Sequence, residues 1–202
     1  MENTDTYKTI KRPSEEALFK DRGSKFLGYA YPIQNEDEVK PIIESLKSQH
    51  HKARHWCYAW QIGVENVQYR VNDDGEPNNS AGQPIYGQIL SKELTNVLVV
   101  VVRYFGGTKL GVGGLVNAYK TSAQMTLESS KVIVKTIDVQ FKISFGYAHM
   151  NTVMRTITTY GATILEQKME LKCEFIIAIR KSEAEKVKDA FEGLKSVRVL
   201  EV

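Results

Sequence analysis

Cysteine is scarce in this 202-residue chain: Cys57 and Cys173 are the only two, and they lie far apart. Such a pair makes neither a disulfide framework nor a metal-ligand set, so a reducing cytoplasm is the expected setting. A membrane-length apolar run is also missing. The longest aliphatic stretch, Leu94 to Val102, is interrupted by Thr95 and Asn96 and falls well short of the roughly 20 residues that cross a bilayer. The opening MENTDTYKTI has no apolar signal core, so neither secretion nor a membrane partner is expected. Charge of one sign is not in excess either. Basic residues number 27 against 24 acids, a net +3; that is too little for the whole surface to coat nucleic acid, so any anion site must be local.

What is present is ordinary globular material. Apolar residues make up 42% and charged residues 25%, which excludes collagen-like, low-complexity and wholly disordered chains. The length suits one large domain or two small ones.

The clearest pattern is C-terminal. Ile137, Val139, Phe141, Ile143 and Phe145 alternate with polar residues, the period of a half-buried strand. Met150, Val153, Met154 and Ile157 then recur at helical spacing, with Gly161 placed as a C-cap. Ala162 to Gln167 and Leu171 to Arg180 read as a hairpin. Ser182 with Glu185 forms a capping box for a helix closed by Gly193, and a last strand runs from Val197. The order βαββαβ predicts a ferredoxin-like domain. The expected division is therefore 1–134 and 135–202.

In the N-terminal part, strands are expected at Lys25 to Tyr31, Trp56 to Ile62, Val67 to Val71 and Val97 to Tyr104. Val39, Ile42, Ile43 and Leu46 mark a helix that Pro41 either kinks or delays. Further helices are expected from about Pro84 to Lys92 and from Gly114 to Ser129. These elements make an α+β or α/β layer.

Four features bear on chemistry. From Arg103 to Gly114 a strand end runs through a glycine-rich turn into a helix. Gly106, Gly107, Gly111, Gly113 and Gly114 let backbone N–H groups approach an anion, and the helix start adds a positive dipole end. No carboxylate falls between Leu94 and Leu127, while Arg103, Lys109 and Lys120 supply positive charge. The segment misses both the Walker A and the dinucleotide templates, so no nucleotide cofactor is implied. The second feature, Asp73-Asp74-Gly75-Glu76-Pro77, groups three carboxylates around a turn glycine, suited to a cation, to acid–base work or simply to a turn. The third, Arg54-His55-Trp56-Cys57, puts His55 and Cys57 on one strand face without completing a metal or thiol site. The fourth is the C-terminal sheet. Its outward positions, among them Gln140, Lys142, Ser144, Glu174 and Ile176, hold no aromatic residue, which counts against base stacking.

Taken in order, Ala53-Arg54-His55 before Cys57 and Ala59, Asp73 to Pro77, Ala81-Gly82-Gln83-Pro84 and Val99 to Gly114 form a series that resembles the YigZ/IMPACT family. The resemblance runs from about Arg22 to Leu127, and the two-domain layout resembles that of the bacterial YigZ branch. It implies an α+β fold: an N-terminal domain like the second domain of a small-subunit ribosomal protein and domain IV of elongation factor G, and a C-terminal domain like that factor's domain V. It also implies a role around translation. The eukaryotic branch inhibits the amino-acid-starvation kinase by competing for its activating scaffold protein.

The leading expectation is a non-enzymatic binder of RNA, the ribosome or a ribosome-bound partner. Arg54, Arg103 and Lys109 would meet phosphates, and His55, Asp73, Asp74, Glu76 and Tyr104 would form an opposing rim. No cofactor, metal or catalytic residue is assigned. One alternative is a metal-assisted hydrolase or phosphotransferase using the acidic loop with His55. The other is a protein–protein adaptor acting through Tyr104, Phe105 or that loop without RNA.

Overall fold

The computed structural model describes residues 5–202. The chain is a mixed α+β protein that divides into two compact units, Tyr7–Lys135 and Thr136–Val202, with Asp5 and Thr6 belonging to the second. In chain order the elements up to Thr136 are β1 (Thr6–Ile10), β2 (Ala17–Asp21), β3 (Ser24–Pro32), α1 (Val39–Gln49), β4 (His55–Ile62), β5 (Gln68–Asn72), α2 (Gly82–Ser91), β6 (Val97–Tyr104), α3 (Gly111–Ser129) and β7 (Val132–Thr136). Then come β8 (Asp138–Gly146), α4 (Met150–Tyr160), β9 (Thr163–Lys168), β10 (Lys172–Arg180), α5 (Ala184–Glu192) and β11 (Val197–Glu201).

In the first unit five strands pair in the order β2-β3-β6-β4-β5. Val97 to Val102 of the central strand β6 form an unbroken aliphatic run because both faces of the strand are covered. Val97, Val99 and Val101 pack with Phe26, Cys57 and Ala59 under α2 and α3. Leu98, Val100 and Val102 pack with Leu27, Tyr29 and Trp60 on the side of α1. Val39 and Leu46 of α1 complete that second cluster.

Several local expectations change. The strand β2 and the ribbon of β1 with β7 are additional to those read from sequence. The β2–β3 turn is made by Arg22 (φ 43°) and Gly23 (φ 81°), a two-residue turn of the primed kind without the Asn-Gly signature that usually marks it. Pro41 falls in the first turn of α1, where an N–H has no intrahelical partner, so the helix runs through it. The capping box here is Asn35 with Glu38, in the 3₁₀ turn that leads into α1. Ser182 and Glu185 form none: α5 follows a 3₁₀ turn at Lys181–Glu183, so its first residue is Ala184 and Ser182 lies outside the cap position. The helix α3 starts at Gly111 rather than Gly114, which puts two further glycines inside its first turn.

The second unit has the element order β-α-β-β-α-β and sheet order β11-β8-β10-β9. Its core is apolar, built around Phe141, Phe145, Phe175, Val153 and Phe191. Asp5 joins this unit by a two-point ion pair with Arg180, at 2.5 and 2.8 Å.

Candidate functional site

The residues singled out between Arg54 and Gly114 converge on one end of the five-stranded sheet. The register explains why: His55 opens β4 opposite Arg103 near the end of β6, and Phe26 pairs with Arg103 from the other side. The loop between β5 and α2 folds over that end.

This loop uses its own acids to shape itself. Asp73 accepts hydrogen bonds from the backbone N–H groups of Asn79 (2.8 Å), Ala81 (2.9 Å) and Gly82 (2.8 Å). Asp74 accepts one from the N–H of Trp56 at 2.7 Å. A turn through Asp74 (φ 41°) and Gly75 (φ 85°) then drops Glu76 inward. The expectation that all three carboxylates form a rim gives way at Glu76. Glu76 is 8% exposed, and the other two acids accept from backbone N–H groups that lack a partner within regular structure.

Glu76 is the centre of a buried polar network. Its Oε1 accepts from Arg103 Nη1 at 2.6 Å and from the Tyr119 hydroxyl at 2.7 Å. His55 Nε2 lies 3.9 Å away. The other ring nitrogen, Nδ1, is 2.9 Å from the carbonyl oxygen of Asp74. A carbonyl only accepts, so Nδ1 carries the proton and Nε2 is the free acceptor in the neutral ring. Cys57 Sγ sits 3.0 Å from the Asp73 carbonyl and 3.3 Å from the Tyr119 hydroxyl. Burial pushes the Cys57 thiol and the Tyr119 phenol well above their ordinary ranges, so neither is ionised near neutrality. Cys57 is fully buried and packs as a small core residue.

Arg103 departs most from expectation. It is 5% exposed, paired to Glu76, and sandwiched between Phe26 and Phe105, whose ring centres lie 5.5 and 5.6 Å from its guanidinium carbon. Its charge answers an internal carboxylate rather than an external phosphate, because a desolvated cation needs its partner within the fold. Tyr104, one residue on, faces the opposite side of the sheet. Its hydroxyl is 3.0 Å from His50 Nδ1, and His50 Nε2 is 2.7 Å from the Tyr29 hydroxyl, which in turn donates to Glu16. Tyr104 thus belongs to a separate relay, and Tyr119, which reaches Glu76 from α3, completes the buried network without any motif to announce it.

The glycine-rich segment lies open beside this network. Phe105 to Lys109 are exposed, and Leu110 alone is anchored in the core. Gly106 is fixed by close approach: a Cβ there would lie 1.9 Å from the backbone of Gly23. Gly107 and Gly111 have φ of 87° and 72°. At Gly113 neither reason applies, since a Cβ would meet nothing within 4 Å and its φ is not positive. The helix α3 begins with no side-chain cap and no acid in its first turn, leaving N–H groups and the positive dipole end toward solvent. Arg54 and Lys109 are exposed cations.

Among the described residues, no group of three or more His, Cys, Asp or Glu is placed to hold a metal ion, and no helix is long and apolar enough to cross a membrane.

Comparison with known proteins matches the Impact N-terminal domain to residues 22–127. An IMPACT family member of Haemophilus influenzae is 30% identical over 185 residues, 90% of this chain and 88% of its own. The IMPACT family member YigZ of Escherichia coli is 32% identical over 132 residues, 64% of this chain and 65% of its own. A solved structure described as a hypothetical protein aligns over 98% of both chains with a TM-score of 0.76 at 23% identity, a likeness of fold.

Proposed function

The chain belongs to the IMPACT family, and from that premise we propose that it is a non-enzymatic, translation-associated regulator that meets structured RNA, on the ribosome or off it, through the glycine-rich face of its first unit. In this reading the first unit is the counterpart of domain IV of elongation factor G. The second, with its βαββαβ order, is a ferredoxin-like counterpart of domain V. The observation that carries the proposal is the run Phe105 to Gly113: exposed except for the buried Leu110, free of carboxylates and continuous with the uncapped start of α3. Backbone N–H groups at a helix start favour phosphate, and glycines without Cβ atoms let a sugar–phosphate chain come close.

Arg54 and Lys109 are the phosphate contacts. Arg103, Glu76, Tyr119 and His55 hold the platform from below. A metal-assisted hydrolase fits less well, because Asp73 and Asp74 already serve backbone donors.

The test is sedimentation of the tagged protein with ribosomes in lysate, across salt concentrations and with or without ribonuclease. Co-migration is expected at low salt and is lost with salt and nuclease. In filter binding with a structured RNA, the Arg54→Ala, Lys109→Ala pair lowers the slope of log affinity against log salt by about two, one per phosphate contact. A slope unchanged by that pair overturns the site assignment.

A further inference from the structure

The opposite face of the same sheet carries a second feature, independent of the glycine-rich segment. A groove of about 630 Å³ runs between α1 and the strands β4 and β5. Its lining includes Trp56, Tyr58 and Trp60, successive residues on one face of β4. Val39 and Ile43 of α1 contribute one side and Arg70 and Asn72 of β5 another. The groove therefore combines aromatic faces, a helix wall and a strand at the edge of its sheet.

Its charges follow a pattern. Glu36, Asp37, Glu44 and Asp74 line it, against Lys40, Lys47 and Arg70. Arg70 is paired with Glu36 at 2.9 Å and Lys40 with Glu44 at 4.0 Å. The remainder is two carboxylates against Lys47, whose ammonium already lies over the Trp56 ring, 5.4 Å from its centre. The aromatic lining thus holds a cation from the chain itself, and the surplus charge around it is negative. Both indole N–H groups are buried, and among the described residues neither finds an acceptor.

We propose that this groove is a docking site for an extended, basic peptide segment of a partner protein, with an arginine or lysine side chain seated on the part-exposed faces of Trp56 and Tyr58. A cationic head gains from the ring quadrupoles and from the rim carboxylates together. The edge strand β5 offers unpaired backbone groups to an extended chain. A nucleic-acid strand would stack on the same rings but bring phosphates toward four carboxylates.

Trp56 and Trp60 are the only tryptophans in the chain, so their fluorescence reports the groove directly. The full chain is titrated with N-acetylated hexa-arginine, with oligoglutamate and with oligouridylate, and folding of each variant is checked by circular dichroism. A saturable change with hexa-arginine is expected, with none from the other two. Lys47→Gln, which removes the resident cation, tightens the interaction by about two- to fivefold. Asp37→Asn weakens it. The proposal is overturned by no response to hexa-arginine, by a response that Lys47→Gln and Asp37→Asn leave unaltered, or by a response to oligouridylate instead. Sedimentation with ribosomes depends on Arg54 and Lys109, so the two readings fail separately.

Discussion

The two faces of the five-stranded sheet are built from alternate residues of the same strands, yet they handle charge in opposite ways. On the α2–α3 side, Arg103 and Glu76 are buried together with Tyr119, and Asp73 of the loop is consumed by backbone donors. On the α1 side, charged residues stay at the rim of an open groove and aromatic rings line it. A buried ion must be matched inside the fold, which closes that network to outside ligands, whereas a rim charge over an aromatic surface remains available. The motif-rich network is thus a brace, and both proposed contact surfaces lie outside it.

The sharpest way to break this contrast is to remove the internal acid. Glu76→Ala leaves the Arg103 cation buried and unpaired, and should cost about 3–5 kcal/mol in denaturant unfolding of the first unit. Adding Arg103→Met should restore much of that loss, because the apolar side chain needs no partner between Phe26 and Phe105. A loss no larger for Glu76→Ala than for an exposed acid such as Asp37→Ala would show the network to be wet and the contrast false.

Much of the scaffold was legible beforehand, for identifiable reasons. The run Val97 to Val102 and the alternation from Val139 to Phe145 declare a doubly covered strand and a half-covered one. The turn at Arg22 and Gly23 was not legible, because its left-handed first position is held by an arginine. Nor was the pairing of Glu76 with Arg103, which lie 27 positions apart; a charge in a sequence carries no mark of burial, and only the β4–β6 register brings the loop over the strand end. The glycines mixed two causes that look alike in sequence. Gly106 answers a backbone contact, whereas Gly113 answers nothing in the fold.

That distinction gives a prediction in which stability and binding move in opposite directions. Gly113 lies in the first turn of α3 with open space around it, so Gly113→Ala should stabilise the first unit by about 0.5–1 kcal/mol through helix propensity and a less flexible unfolded chain. The same methyl group should weaken RNA association if the backbone is approached there. Unchanged affinity in the stabilised variant would move the contact elsewhere along the segment. A fall in both would mean that the helix start itself had shifted.

The smallest effect is expected where one partner of an ion pair is half exposed, and it sharpens the contrast with Glu76 from the second unit. Hydrogen bonds from Arg180, and then from Ser182, hold the Asp5 carboxyl well below the usual carboxylate range. A carboxyl depressed in the folded state stabilises it above the unfolded value near pH 4, and that contribution fades as the pH falls through the acid range. Arg180 is half exposed, so solvent screens the pair and the contribution is modest. Unfolding midpoints of the whole chain and of Asp5→Asn should differ at neutral pH, draw together below about pH 4 and lie closer throughout in high salt. A gap that persists into acid would assign the role of Asp5 to uncharged hydrogen bonding by its side chain rather than to its charge, because the backbone carbonyl that accepts from the Ile137 N–H at 2.8 Å is common to both chains.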